Sequence, residues 1–161
     1  MEQIDIDSTD IKLLDALQTD ASRSNQALAE LVHISPPTCL RRVKRLKDAG
    51  LIEREIALLN PDKLAHMTGH GLTAIVEITL DRQGNEYQGA FEKRVIADPA
   101  VQQCYRTSPG PDFVMIVHTQ DMPAYLALCQ RLFTADANVR NVKAFFSVKR
   151  SIFKPKVLLA Q

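Results

Sequence analysis

The chain has 161 residues, 45% of them hydrophobic and 24% charged, and carries a net charge of +1; this is a globular composition with enough length for one ordinary domain or two small ones. A near-zero net charge excludes a global cationic field, so nucleic-acid binding has to come from local clustering. No apolar run approaches the ~18–20 residues of a membrane-spanning helix, and Cys39, Cys104 and Cys129 are odd in number, widely spaced and free of any CxxC pattern, which argues against a membrane protein, a disulfide scaffold and a zinc ribbon and predicts buried thiols in a reducing compartment.

The first segment, Met-Glu-Gln-Ile-Asp, is acidic and has no apolar signal core, so a cytoplasmic protein is expected. Ser8 or Thr9 can cap a helix over 8–19 with Ile11, Leu14 and Leu17 on one stripe. Ser24 caps a second helix over 25–32. After His33-Ile34, Ser35 opens a third, with prolines where a helix start tolerates them and Gly50 where a helix ends. Its apolar residues Leu40, Val43 and Leu46, with Pro36 and Cys39 beside them, predict a buried face. Thr38, Arg41, Arg42 and Arg45 then project from the other side. Five of the seven residues from Arg41 to Lys47 are Lys or Arg, the form of a recognition helix that lies in a major groove and neutralises phosphates. The bland alternative is a solvated basic face. Residues 51–59 alternate in part and predict a wing hairpin or a single strand.

Residues 60–71, with Gly69 and Gly71, read as a connector. Beyond it the pattern changes to period two: Leu72, Ala74, Val76, Ile78 and Leu80 define a strand. A helix to about Ala97, strands over 101–107 and 112–119, a helix over 122–134 and a strand over 139–148 follow, giving the order βαββαβ of the ferredoxin-like plan. The predicted architecture is therefore α+β: a winged helix-turn-helix domain over 1–59, a linker over 60–71, and a ferredoxin-like domain over 72–161 that includes a basic tail. Phe153, Val157, Leu158 and Leu159 of that tail need a partner surface within the chain or on another copy.

Several strings resemble the leucine-responsive/asparagine regulator (Lrp/AsnC) family of transcription factors. Asp7-x-x-Asp10-x-x-Leu13-Leu14-x-x-Leu17-Gln18 is similar to its first helix. Leu28-Ala29-x-x-Val32-x-Ile34-Ser35-Pro36-x-x-Cys39-Leu40-x-Arg42-Val43-x-Arg45-Leu46-x-x-x-Gly50-Leu51-Ile52 is similar to its helix-turn-helix. Ala57-Leu58-Leu59-Asn60-Pro61 and Asp121-Met122-x-Ala124-Tyr125 are similar to later segments. The resemblance covers about residues 5–150. It implies regulation through double-stranded DNA, a dimer built through the βαββαβ domains with assembly to octamers in many members, and a small amino-acid effector bound between βαββαβ domains of neighbouring protomers. In place of the family's Gly-Asp-x-Asp-Tyr turn this chain has Pro109-Gly110-Pro111-Asp112-Phe113, keeping the second acid and replacing the first by Gly110.

The expected DNA contacts are Ser24 and Ser35 at helix starts, Pro37 and Thr38 at the first exposed turn, with Thr38 on a thymine methyl or a phosphate, Arg41 and Arg45 on base edges or adjacent phosphates, and Arg42 and Lys44 on the backbone. The expected effector site takes backbone N–H groups near Ser108 and Gly110 for a carboxylate, Asp112 for an ammonium group, and Met122 and Phe146 as an apolar wall, since either charge of a zwitterion is costly to desolvate alone. No cofactor is expected. His33, His66, His70 and His118 are scattered; His66 and His70 stand i, i+4, but Gly69 and Gly71 count against a helix that would bring them to a metal. No catalytic triad, phosphate loop or Rossmann pattern is present. Two other functions share this architecture: a haem-precursor decarboxylase, which would enlist His118 and Arg106, and an amino-acid-sensing module without DNA binding. The cationic third helix argues against the enzyme.

Overall fold

The computed structural model describes residues 5–69 and 71–159. The chain divides into two compact units: residues up to Leu58 joined by the C-terminal segment from Ile152, and Leu59–Ser151.

The first unit is built on three helices, α1 (Ser8–Thr19), α2 (Asn25–Leu31) and α3 (Pro36–Asp48). The cap of α1 is Asp7, not Ser8 or Thr9. Its Oδ1 accepts the Asp10 N–H at 2.9 Å while Asp10 Oδ2 accepts the Asp7 N–H at 3.2 Å, a reciprocal arrangement that satisfies two orphan donors. Ser24 caps α2 through the Ala27 N–H at 3.2 Å. His33 takes φ +57° in the turn, and α3 begins with two prolines. Leu13, Ala16, Leu28, Ala29, Val32, Cys39 and Leu46 form the core; burying a side chain such as Leu13 or Leu46 is worth roughly 1.5–3 kcal/mol. Leu40 departs from expectation and is 61% exposed. It lies about 120° round the helix from Leu46, past the edge of the face that α1 and α2 cover.

No strand forms over 51–59. A single extended segment has no ladder partner there, and the Lys47 Nζ to Glu55 Oε1 ion pair at 2.8 Å ties it to the end of α3. Ile56, Leu58 and Leu59 stay exposed. The expected connector over 60–71 contains a helix, α4 (Pro61–Thr68), because Asn60 caps it through the Lys63 N–H at 3.1 Å and Pro61 sits at N1. Gly69 ends it at φ +75°. His66 lies in α4 and His70 lies outside the described residues. The tail, expected with the second domain, belongs instead to the first unit. Gln18 holds Val157 at both backbone groups, donating to its O at 2.8 Å and accepting from its N at 2.9 Å. Lys156 Nζ reaches Asp15 Oδ1 at 2.8 Å.

The second unit carries a four-stranded antiparallel sheet in the order β2-β3-β1-β4, from β1 (Leu72–Leu80), β2 (Val101–Arg106), β3 (Phe113–Thr119) and β4 (Val139–Phe146). The register pairs Val76 with Met115 on one side and Ala144 on the other. Helices α5 (Asn85–Val95) and α6 (Met122–Cys129), the latter extended by a π turn over Gln130–Thr134, cover one face. The alternation predicted for β1 holds: Ala74, Val76, Ile78 and Leu80 pack with Phe91, Phe113, Met115, Val117 and Leu128. On the open face Ile75 faces Ile116 and Phe145 across the ladders. Cys39 is buried, whereas Cys104 and Cys129 are only partly so.

Candidate nucleic-acid interface and effector site

The five cations of α3 divide into two groups. Asp10 is fully buried, and a buried carboxylate is tolerated only when it is paired and hydrogen-bonded. Arg42 Nη1 supplies a donor to Asp10 Oδ1 at 2.9 Å and to Asp7 Oδ2 at 2.7 Å, and Arg45 donates to Asp10 Oδ2. Lys47 is held by Glu55. The Asp10 backbone N–H, and after it the Arg42 guanidinium, hold the Asp7 carboxyl below the usual carboxylate range; the same acids raise Arg42 further. Arg41 and Lys44 are exposed, and among the described residues neither takes part in an ion pair. A hollow of about 350 Å³ lies beside α3, lined by Asp5, Asp7, Asp10, Arg41, Arg42 and Arg45.

The outward face of α3 is thus Pro37, Leu40, Arg41 and Lys44, all exposed. The expected face, centred on Arg41, Arg42 and Arg45, is rotated from this because the acids at the start of α1 draw Arg42 and Arg45 to one flank. Thr38 is half-buried and its Oγ1 lies 2.8 Å from Ser35 Oγ. Ser35 makes no side-chain cap to the α3 backbone, while Ser24 spends its hydroxyl on α2.

The five expected effector residues do not meet within the chain. Ser108 and Gly110 are exposed in the turn before β3, with Gly110 at φ +128° and open space around it. Asp112, which closes that turn, is buried and occupied. It accepts the Leu80 N–H at 2.7 Å, Gln88 Nε2 at 3.3 Å and Gln83 Nε2 at 3.4 Å, so its carboxylate clamps the end of β1 to the start of β3 instead of awaiting an ammonium group. Met122 and Phe146 lie at the other end of the sheet. Phe146 pairs with Ala74, packs edge-on to Tyr125 at 5.1 Å, and burial pushes the Tyr125 phenol well above its ordinary range. The seven residues of β3 span about 20 Å between the two ends. The decarboxylase pair is also separated: His118 bonds Thr73 Oγ1 at 3.0 Å on the open face, and Arg106 pairs with Glu92 at 2.7 Å beside Phe113. Among the described residues no three His, Cys, Asp or Glu side chains gather as a metal site.

A three-helix unit with a cationic third helix, followed by a ferredoxin-like sheet domain, defines a helix-turn-helix regulator with an attached ligand-binding module. Residues 6–47 match the AsnC-type helix-turn-helix domain and residues 73–157 match the Lrp/AsnC ligand binding domain. The chain belongs to the Lrp/AsnC family of transcriptional regulators. It is 34% identical to the DNA-binding transcriptional activator DecR of Escherichia coli, over 90% of this chain and 93% of that one. It is 33% identical to an HTH-type transcriptional regulator of Haemophilus influenzae, over 88% of this chain and 82% of that one. Its fold is similar to that of a transcriptional regulator from Neisseria meningitidis solved in complex with L-Met, at 27% identity and a TM-score of 0.81, covering 96% and 97% of the two chains.

Proposed function

We propose that this chain regulates transcription by placing Arg41 and Lys44 of α3 against a DNA duplex, with a small amino acid bound to the βαββαβ domain adjusting that contact. One observation carries the reading: the acids of the first unit take up Arg42, Arg45 and Lys47 and leave Arg41 and Lys44 directed to solvent. Unpaired cations on an exposed helix face are what phosphate neutralisation needs. The guanidinium of Arg41 also suits guanine O6 and N7. Ser35, Pro37 and Thr38 lie at the same end of the helix; Ser24 supports it from α2. Arg42 and Arg45 hold α3 to α1 and orient it.

A second copy of the chain completes the arrangement. The exposed row over 51–59 and the open sheet face with Ile75, Ile116 and Phe145 are the surfaces it would cover. The effector is proposed to be an amino acid, in keeping with the L-Met bound by the Neisseria relative. Ser108 and Gly110 from one copy, and Met122 and Phe146 from another, are the groups available to it.

A salt-titrated gel shift on DNA upstream of the protein's own coding region tests the DNA contact. Arg41→Ala is expected to weaken binding by about 1–3 kcal/mol and to flatten the salt dependence, while circular dichroism stays that of the parent. Equal affinity of Arg41→Ala, Lys44→Ala and parent overturns the assignment. Calorimetric titration of the common amino acids, L-Met included, is expected to give heat for at least one; none for any removes the effector.

A further inference from the structure

Beyond the two prolines of its first turn, Leu40 is the apolar side chain of α3 left exposed. Cys39 and Leu46 are fully buried and Val43 partly so, while Leu40 is 61% exposed. An isolated surface leucine is ordinary. This one is set among specific neighbours: Pro37 stands three residues before it and Lys44 four residues after, so both adjoin it on the helix surface, and Arg41 follows directly. It is the fifth residue of α3, within the N-terminal part that a recognition helix turns toward base edges.

Resting on the DNA-binding reading above, we infer that Leu40 determines base specificity by packing against the 5-methyl group of thymine in the major groove. Base edges in that groove present polar donors and acceptors apart from the thymine methyl. A leucine has neither donor nor acceptor. Against thymine it takes two apolar surfaces out of water. Against an amino group or a carbonyl it leaves a polar atom desolvated and unpaired, which is unfavourable. The charges of Arg41 and Lys44 attract the phosphates and bring the helix to the groove, whatever bases Arg41 then meets. Leu40 then discriminates on the flank opposite the one that carries Arg45.

The test uses duplexes selected from a random library by the full chain, with each thymine replaced in turn by deoxyuridine, which lacks only the methyl group. Parent protein is expected to lose about fourfold in affinity at one or two positions of each site, the value of one methyl group taken out of water. Leu40→Ala, which leaves the buried core intact, is expected to bind both versions equally and to select sites without a thymine preference at those positions. Sensitivity below twofold at every thymine, or undiminished sensitivity in Leu40→Ala, overturns the inference while leaving Arg41-dependent binding standing. A changed oligomeric state of Leu40→Ala with thymine sensitivity retained assigns the residue to contact between copies and also overturns it. Failure to retain any duplex overturns the regulator reading, and this inference with it.

Discussion

Asp10 decides what α3 can offer. Its carboxylate is fully buried and receives two arginines and a backbone N–H, so the acid costs little only while all three donors remain. Asp10→Ala removes a capping-box member and strands Arg42 beside the core. The expected loss is about 3 kcal/mol of unfolding free energy, at the low end for breaking a buried pair because Arg45 is half-exposed, and denaturant titration measures it. DNA affinity of the folded fraction should fall far less than in Arg41→Ala. A stability change within 0.5 kcal/mol, roughly that of a neutral surface substitution, contradicts the role given to Asp10. The rotation of the cationic face is only half legible in the sequence. A helical wheel places Arg41, Arg42 and Arg45 together but has no information about acids 32 to 35 residues away. The Asp7-x-x-Asp10 spacing was visible in the sequence; that its members would be capping box and counter-ion at once depends on tertiary packing.

At the scale of elements, local chemistry was the most legible part. The Ser24 cap, the alternation of β1 and the βαββαβ order all follow from short-range pattern, and all are present. Helix α4 is not legible in the sequence because Asn60-Pro61 reads equally as a break or as N-cap and N1, and eight residues give too few turns for periodicity to decide. The partial alternation of 51–59 yields no strand, since alternation marks a strand only when a neighbour completes the ladder. The effector residues do not meet within one chain for a reason already in the sequence: a seven-residue strand between Asp112 and Met122 places them at opposite ends of the sheet, so a site drawing on both ends needs two copies. The two serines at helix starts now make a contrast. Ser24→Ala should cost about 1 kcal/mol, a normal cap value, because its hydroxyl accepts the Ala27 N–H. Ser35→Ala should cost clearly less, since that hydroxyl meets only Thr38. Thermal melts of the two variants compare them directly, and equal losses contradict the assignment.

For the whole molecule, the tail is the feature that sequence could not place. Its apolar residues required a covering surface, and the chain supplies part of it: Leu159 lines a cavity of about 520 Å³ with Ile11, Ala16, Leu31 and Val32. Gln18 fixes the backbone at Val157 by two hydrogen bonds, each worth about 1 kcal/mol net. Gln18→Ala is therefore expected to lower the stability of the first unit by about 1–2 kcal/mol, read as earlier amide exchange in α1 while β1 and β3 exchange as before; unchanged exchange in α1 contradicts the clamp. The segment also has a topological effect. The polypeptide passes between the two units twice, once after Leu58 and again after Ser151. The first unit is therefore discontinuous in sequence, closed by residues that follow the whole of the second. A chain cut after Leu58 would keep all three helices of the first unit and still lose Val157 and Leu159, so Gln18 would have no backbone to hold.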